Sequence, residues 1–346
     1  MTSTSRRLVL AARPTGMVDD SVVEVQEVPV PEPGPGEAVV AVRYVSIDPT
    51  IRGWMDDRPG YLPPIELGAV VRSGGIGEVI ASNSDRYPVG ASVFGMLGWQ
   101  DHAVVDEGEN GAQVLPEGIP PTAALSVFGV TGMTAYFGLL DVGRPQEGDT
   151  VVVSGAAGAT GSIVGQIARI KGAGKVVGIA GGPEKCAWLV DELGFDAAID
   201  YKADDVRARL AELCPDGIDV VFDNVGGSTL EAVLDNLALR ARVALCGAIS
   251  IYNDRDGAPG IPNTFELINT RSRMEGFLVL DYVDRFLEAQ LEMFGWVAEG
   301  RVTHREHVVE GLENAVDALN LLFTGRNTGK VIVAVQPDVT ASRSGW

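Results

Sequence analysis

"VVVSGAAGATGSIVGQIARIKG", residues 151–172, joins a run of β-branched residues to an apolar, helix-like segment through a turn crowded with glycine. Gly155, Gly158 and Gly161 fall in the turn, and Gly165 follows one helical turn later. A strand that ends in such a turn and runs straight into a helix is the fingerprint of a dinucleotide-binding unit. The usual spacing of two then three residues falls here on Ala156, Gly158 and Gly161. A bare Gly158 lets the backbone approach a pyrophosphate, with Ala157 and Ala159 as its small neighbours in the binding turn. Gly161 and Gly165 let the helix lie close to the sheet, and the helix N-terminus offers unpaired N–H groups to the phosphates.

The same texture continues outward. "TVVVSG", "KVVGIA", "AAIDY", "IDVVFDN", "ARVALCG" and "MEGFLV" read as six short strands separated by helices, one of them running through Leu237. That alternation predicts an α/β unit with a doubly wound parallel sheet of the Rossmann kind. Upstream, "PTAALSVFGVTGMTAYFGLLDVG" (121–143) reads as helical. The first third is different: "VPVPEPGPGE" and "GAVVRSGGIGEVIAS" are strands and corners marked by proline and glycine, as in a small β-barrel. The closing segment, "HVVEGLENAVDALNLLFTG" then "KVIVAV", reads as strand, helix and strand returning to that first domain. The expected division is 1–123 with 300–346 for the substrate domain, and 124–299 for the dinucleotide-binding domain.

Composition narrows the function classes. A formal charge of -20 over 346 residues excludes a nucleic-acid backbone as the expected partner. Three scattered cysteines, Cys186, Cys214 and Cys246, form no disulfide framework and fit a reducing compartment. The opening "MTSTSRRLVLAARP" is too short in apolar residues for a signal core, and no apolar run is long enough to span a bilayer. A cytoplasmic protein with no membrane partner is expected.

The second strand of the unit decides the cofactor. "VVGIAGGPEK" (176–185) ends at the point where NAD-binding units place an acid for the ribose hydroxyls. Here that point holds Ala180, Gly181 and Gly182, which leave room for a 2′-phosphate. Lys185 begins the next helix, where it neutralises the phosphate, and Tyr201 at the end of the third strand donates a hydroxyl. Of the five lysines in the chain, four fall between residues 171 and 202. The expected cofactor is NADP, used as NADPH.

No tyrosine is followed four residues later by lysine, which excludes the short-chain dehydrogenase pattern. The first domain holds no cysteine, and "LGAVVRSGGIGEV" contains no histidine, so no zinc set is visible; His304 and His307 lack a third ligand. Asn224, in "DNVGG" (223–227), follows a strand at the ligand-binding edge. It serves equally well as a cofactor contact or as a turn residue capping the next helix. Tyr252, in "CGAISIYN" (246–253), lies after the next strand, as a proton donor or as a packing tyrosine.

Those blocks, together with "GMTAYFGLLDVG" (132–143), "GFDAAIDYK" (194–202), "RMEGFLV" (273–279) and "GRNTGK" (325–330), resemble the zinc-independent medium-chain dehydrogenase/reductase family. The group resembled is that of the prostaglandin reductases, leukotriene hydroxydehydrogenases and alkenal double-bond reductases, from about residue 28 to 335. The resemblance implies a GroES-like β-barrel domain before the Rossmann domain and a homodimer. It implies cofactor contacts at Asn224, Cys246, Gly247, Ala248, Ile249, Ser250, Tyr252, Phe277, Leu278, Val279 and Asn327. It places Tyr252 beside the nicotinamide and the substrate as the catalytic residue, and Thr50 and Arg52 on the substrate side. One departure stands out, because the family's usual Asp-Pro-Tyr-Met-Arg reads here Asp48-Pro49-Thr50-Ile51-Arg52.

The implied reaction is reduction of the double bond of an α,β-unsaturated ketone or aldehyde: hydride adds to the β-carbon and an enolate forms on the carbonyl oxygen. A zinc-free quinone oxidoreductase is the alternative enzyme, and a redox-silent NADPH-binding protein the alternative outside enzymes.

Overall fold

The computed structural model describes residues 4–108, 111–254, 256–257 and 260–336. Its contacts divide the chain into two compact units: residues up to Leu125 with His307–Arg326 and the end from Val331, and Ser126–Glu306 with Asn327–Lys330.

The first unit opens with β1 (Thr4–Leu10), β2 (Val23–Pro29) and β3 (Ala38–Ser46), then α1 (Thr50–Trp54), β4 (Gly75–Ser82), β5 (Ser92–Gly95), β6 (His102–Val105), β7 (Gln113–Val114) and α2 (Pro121–Leu125). Alternating valines on β3 feed a core with Leu8, Ile51, Met55, Tyr87 and Trp99. Pro, Gly and Asn corners keep the strands short. Arg6 ties β1 down by donating from Nε to the buried Asp101 carboxylate at 3.1 Å.

The second unit holds α3 (Val130–Phe137), β8 (Thr150–Ser154), α4 (Gly161–Ile170), β9 (Lys175–Ala180), α5 (Pro183–Asp191) and β10 (Ala197–Asp200). It continues with α6 (Val206–Leu213), β11 (Ile218–Asp223), α7 (Gly227–Leu234), β12 (Leu237–Leu245), α8 (Phe265–Thr270), β13 (Arg273–Gly276) and α9 (Phe286–Ala298). Its six strands are all parallel in the order β10-β9-β8-β11-β12-β13. The order reverses direction beside β8, so the loops after β8 and β11 leave the carboxyl edge at the switch point, where such sheets bind ligands. The chain then forms β14 (Glu306–Glu310), α10 (Ala315–Thr324) and β15 (Lys330–Ala334), and β15 pairs antiparallel with β3, Ile332 opposite Ser46. No helix among the described residues is long and apolar enough to cross a membrane.

Three local readings shift. The helix read through Leu237 stops at Leu234, because Asn236 N–H closes a turn on Val233 O and the Asn236 carbonyl accepts from Ile218 N–H at 2.9 Å, drawing the chain into the sheet. The helical reading of 121–143 breaks after Leu125, where Ser126 O accepts from both Gly129 and Gly132, and resumes as α3 and a π-turn over Gly138–Gly143. Asn327–Lys330, read with the first domain, belongs to the second unit. Gly329 N–H donates to Ala157 O at 2.9 Å, fastening this turn to the glycine-rich one.

Candidate cofactor and catalytic site

The glycine-rich turn is built so tightly that side chains do not fit inside it. A Cβ on Gly161 would lie 2.5 Å from Gly155 O, and one on Gly158 would lie 3.1 Å from the same oxygen. Ala156 is fully buried and its N–H is spent on Ile179 O, whereas α4 begins immediately after the turn. A bare backbone in front of a helix N-terminus fits a pyrophosphate.

At the end of β9 a Cβ on Gly181 would strike Tyr201 Cε1 at 2.7 Å and Lys202 Cε at 2.9 Å, so Tyr201 and Lys202 lie directly over this glycine. Space around Gly182 is open. Burial, then the charge of Lys202, hold the half-buried Lys185 amine below the ordinary lysine value. Two lysines and a phenol beside an open Gly182 suit a dianionic phosphate. The nearby acid, Asp200, is turned to the backbone: its Oδ1 accepts from Gly182 N–H at 2.8 Å and from Lys202 N–H at 3.0 Å. The residues present therefore fit NADPH.

The next two strand ends are bound together by Asp223, which is 1 % exposed. Ser154 Oγ donates to Asp223 Oδ1 at 2.5 Å, Gly226 N–H donates to Oδ2 at 2.8 Å, and Val225 N–H adds a longer bond to Oδ1. Burial nonetheless raises this carboxyl above its usual range. Asn224 donates its side-chain N–H to Ser154 O at 2.7 Å, so its side chain braces the turn while its backbone carbonyl accepts from Ile249 N–H. The loop after β12 hangs on the same framework: Cys246 and Gly247 donate to Asp223 O, and Ser250 to Val225 O. Burial and Asp223 push the Cys246 thiol up to about 12, which disfavours its thiolate.

Tyr252 closes this loop. Its hydroxyl oxygen accepts the Ala248 N–H at 3.1 Å, which fixes the ring over Gly247. Phe277 turns inward against Gly138 and meets Phe222 edge-on at 6.0 Å, Leu278 is half-buried and Val279 is buried. Asn327 is buried and donates to Gly329 O at 3.1 Å, beside the glycine-rich turn.

In the first unit Arg52 is 3 % exposed and looks inward. It donates to Gly16 O and Pro14 O and pairs with Asp56, so its charge holds a loop against α1 and faces no solvent. Thr50 stands at the start of α1, and Tyr61 meets Trp54 edge-on at 6.2 Å with the Thr50 and Trp54 polar groups beside its phenol. A second loop thus brings a tyrosine next to the position where the family's usual one is missing. Sequence reasoning passed over this tyrosine, along with Lys202, Ser154 and Asp223; only the adjacency of Lys202 to Tyr201 signalled any of them. Among the described residues no three potential metal-ligating side chains come together.

Residues 6–114 match the family described as the N-terminal domain of oxidoreductase, and residues 159–294 match the one described as zinc-binding dehydrogenase. The chain is 41 % identical to the NADPH-dependent curcumin reductase of Escherichia coli, covering 96 % of this chain and 98 % of that one. It is 38 % identical to the NADP-dependent 2-alkenal reductase of Nicotiana tabacum, with the same coverage. Its fold superimposes on the crystal structure of CurA from Vibrio vulnificus in complex with NADPH with a TM-score of 0.90, at 42 % identity over 96 % of this chain and 99 % of that one.

Proposed function

Because the chain belongs to the medium-chain dehydrogenase/reductase family, in the group of the curcumin and 2-alkenal reductases, we propose that it uses NADPH to reduce the carbon–carbon double bond of α,β-unsaturated ketones and aldehydes. The observation that carries this reading is the packing of Tyr201 and Lys202 over Gly181 with Lys185 within reach of the Lys202 charge, a cationic seat on a strand end that lacks the NAD-type acid.

Ala157, Gly158, Ala159 and Gly161 hold the pyrophosphate, while Ala156, buried with its N–H on Ile179 O, supports the turn from beneath; Lys185, Lys202 and Tyr201 hold the 2′-phosphate. Asn224, the loop from Cys246 through Ser250, Phe277–Val279 and Asn327 hold the nicotinamide half. When bound, NADPH supplies the hydride that adds to the β-carbon of the substrate. Tyr252 does the rest of the polar work. Its oxygen accepts the Ala248 N–H, which orients the phenol at the loop, and as a donor it meets the substrate carbonyl oxygen, where negative charge builds as the enolate forms. The α-carbon is then protonated from water or a side chain.

This reading includes a zinc-independent reaction, a cytoplasmic setting and a homodimer. The exposed apolar residues Leu287, Leu291 and Phe294 on α9 support a partner surface of the last kind. A panel of enones, enals and quinones followed at the nicotinamide absorbance tests the function. Enones and enals should be turned over with saturated carbonyl products; turnover confined to quinones would replace the reading with a quinone oxidoreductase.

A further inference from the structure

All the non-glycine residues with positive φ among the described residues are arginines: Arg144 (φ 49°), Arg240 (φ 63°) and Arg271 (φ 53°). All of them line one cleft of about 380 Å³, together with Gln146, Arg242 and Arg273. Arg144 and Arg271 follow the ends of the π-turn and of α8, and Arg240 stands where β12 bulges out of register with β11. Arg273 opens β13 and sits opposite Arg242, which lies level with Val220 and Val151 at the amino edge of the neighbouring strands. The cleft therefore lies at the other end of the sheet from the glycine-rich turn.

Charge in the cleft is unbalanced. Arg242 pairs with Asp149, and Arg273 reaches Glu275 only at 3.9 Å. Arg144, Arg240 and Arg271 have no carboxylate partner among the described residues, in a chain whose formal charge is -20. The Arg273 Nε is buried without a hydrogen-bond partner. Capping explains a left-handed residue at Arg144 and Arg271, which donate to Asp141 O and Asn269 O. It does not explain arginine, since glycine or asparagine takes that conformation more cheaply. A bulge needs no guanidinium at Arg240 either.

We propose that this cleft is an oxyanion-binding site, separate from the cofactor site, for a diphosphate group, either free or at the end of a nucleotide. Three unpaired guanidinium groups present more charge and more donors than one carboxylate satisfies, and a diphosphate offers several oxygens over the same span. The ligand would occupy the sheet edge where β13 begins, beside the bulged part of β12.

The test measures thermal unfolding of the full chain, saturated with NADPH so that the 2′-phosphate seat is filled, against increasing inorganic pyrophosphate. The parent should be stabilised with a submillimolar midpoint. Arg144→Asn/Arg240→Asn/Arg271→Asn keeps residues tolerant of the left-handed backbone, and should need at least about tenfold more pyrophosphate. Arg240→Asn alone leaves both helix ends intact and should need roughly threefold more, which guards against loss of fold in the triple variant. Adenosine diphosphate in a parallel series separates the sources: equal midpoints identify the free oxyanion, and a lower midpoint identifies a nucleotide. A parent unaffected by both probes, or variants that respond as the parent does, would overturn the proposal.

Discussion

Lys185, in the first turn of α5, and Lys202, just beyond β10, are like charges near enough to act on each other: burial first, and Lys202 second, keep the Lys185 amine below the ordinary lysine value. Such a pair is relieved when a dianion enters between the two groups.

Removing one of them should separate the two nicotinamide cofactors. Lys185→Ala is expected to raise KM for NADPH about ten- to a hundredfold, the range for losing one charge-assisted hydrogen bond, and to leave KM for NADH nearly unchanged. Steady-state kinetics with both cofactors checks this, and equal losses would remove Lys185 from the 2′-phosphate seat.

The same pair sets a pH dependence. A bound phosphate raises the Lys185 value above that of the free enzyme, so the contribution to affinity is complete below the free value. It is lost as pH rises through the bound value. NADPH binding should therefore take up protons in the alkaline range, visible by calorimetry in buffers of different ionisation enthalpy. NADH binding should show no such uptake.

At the other end of the site, Tyr252→Phe keeps the ring and removes the donor. Turnover of an enone should fall about ten- to a thousandfold while the Kd for NADPH changes little. An unchanged kcat would mean that another donor meets the developing oxyanion.

Ser154→Ala tests the framework beneath the loops. It leaves the buried Asp223 carboxylate short of its 2.5 Å hydroxyl donor and frees the Asn224 N–H that bonds to the same oxygen. A loss of about 1–3 kcal/mol in chemical denaturation is expected.

Much of this was legible in residue order. The strand–turn–helix at 151–172 locates the binding edge because glycine spacing and apolar periodicity are local properties, and β8 and α4 form where they predict. Ala180–Gly182 signalled the cofactor because the acid it lacks is also a local feature. Partnerships between distant segments were not legible. Ser154 meets Asp223 only because β8 and β11 pair in the sheet, and Tyr61 reaches Trp54 from a loop beyond α1. Arg52 illustrates the opposite failure: a charged residue in a family motif looked like a substrate contact, yet carbonyls at Pro14 and Gly16 engage it internally.

The most direct measurement is product analysis of a simple enone incubated with the enzyme and NADPH carrying deuterium at the transferable position. Deuterium at the β-carbon of a saturated ketone, with the carbonyl intact, is the expected result. An allylic alcohol labelled at the carbonyl carbon, or oxidation of NADPH with no labelled product, would contradict conjugate reduction at this site.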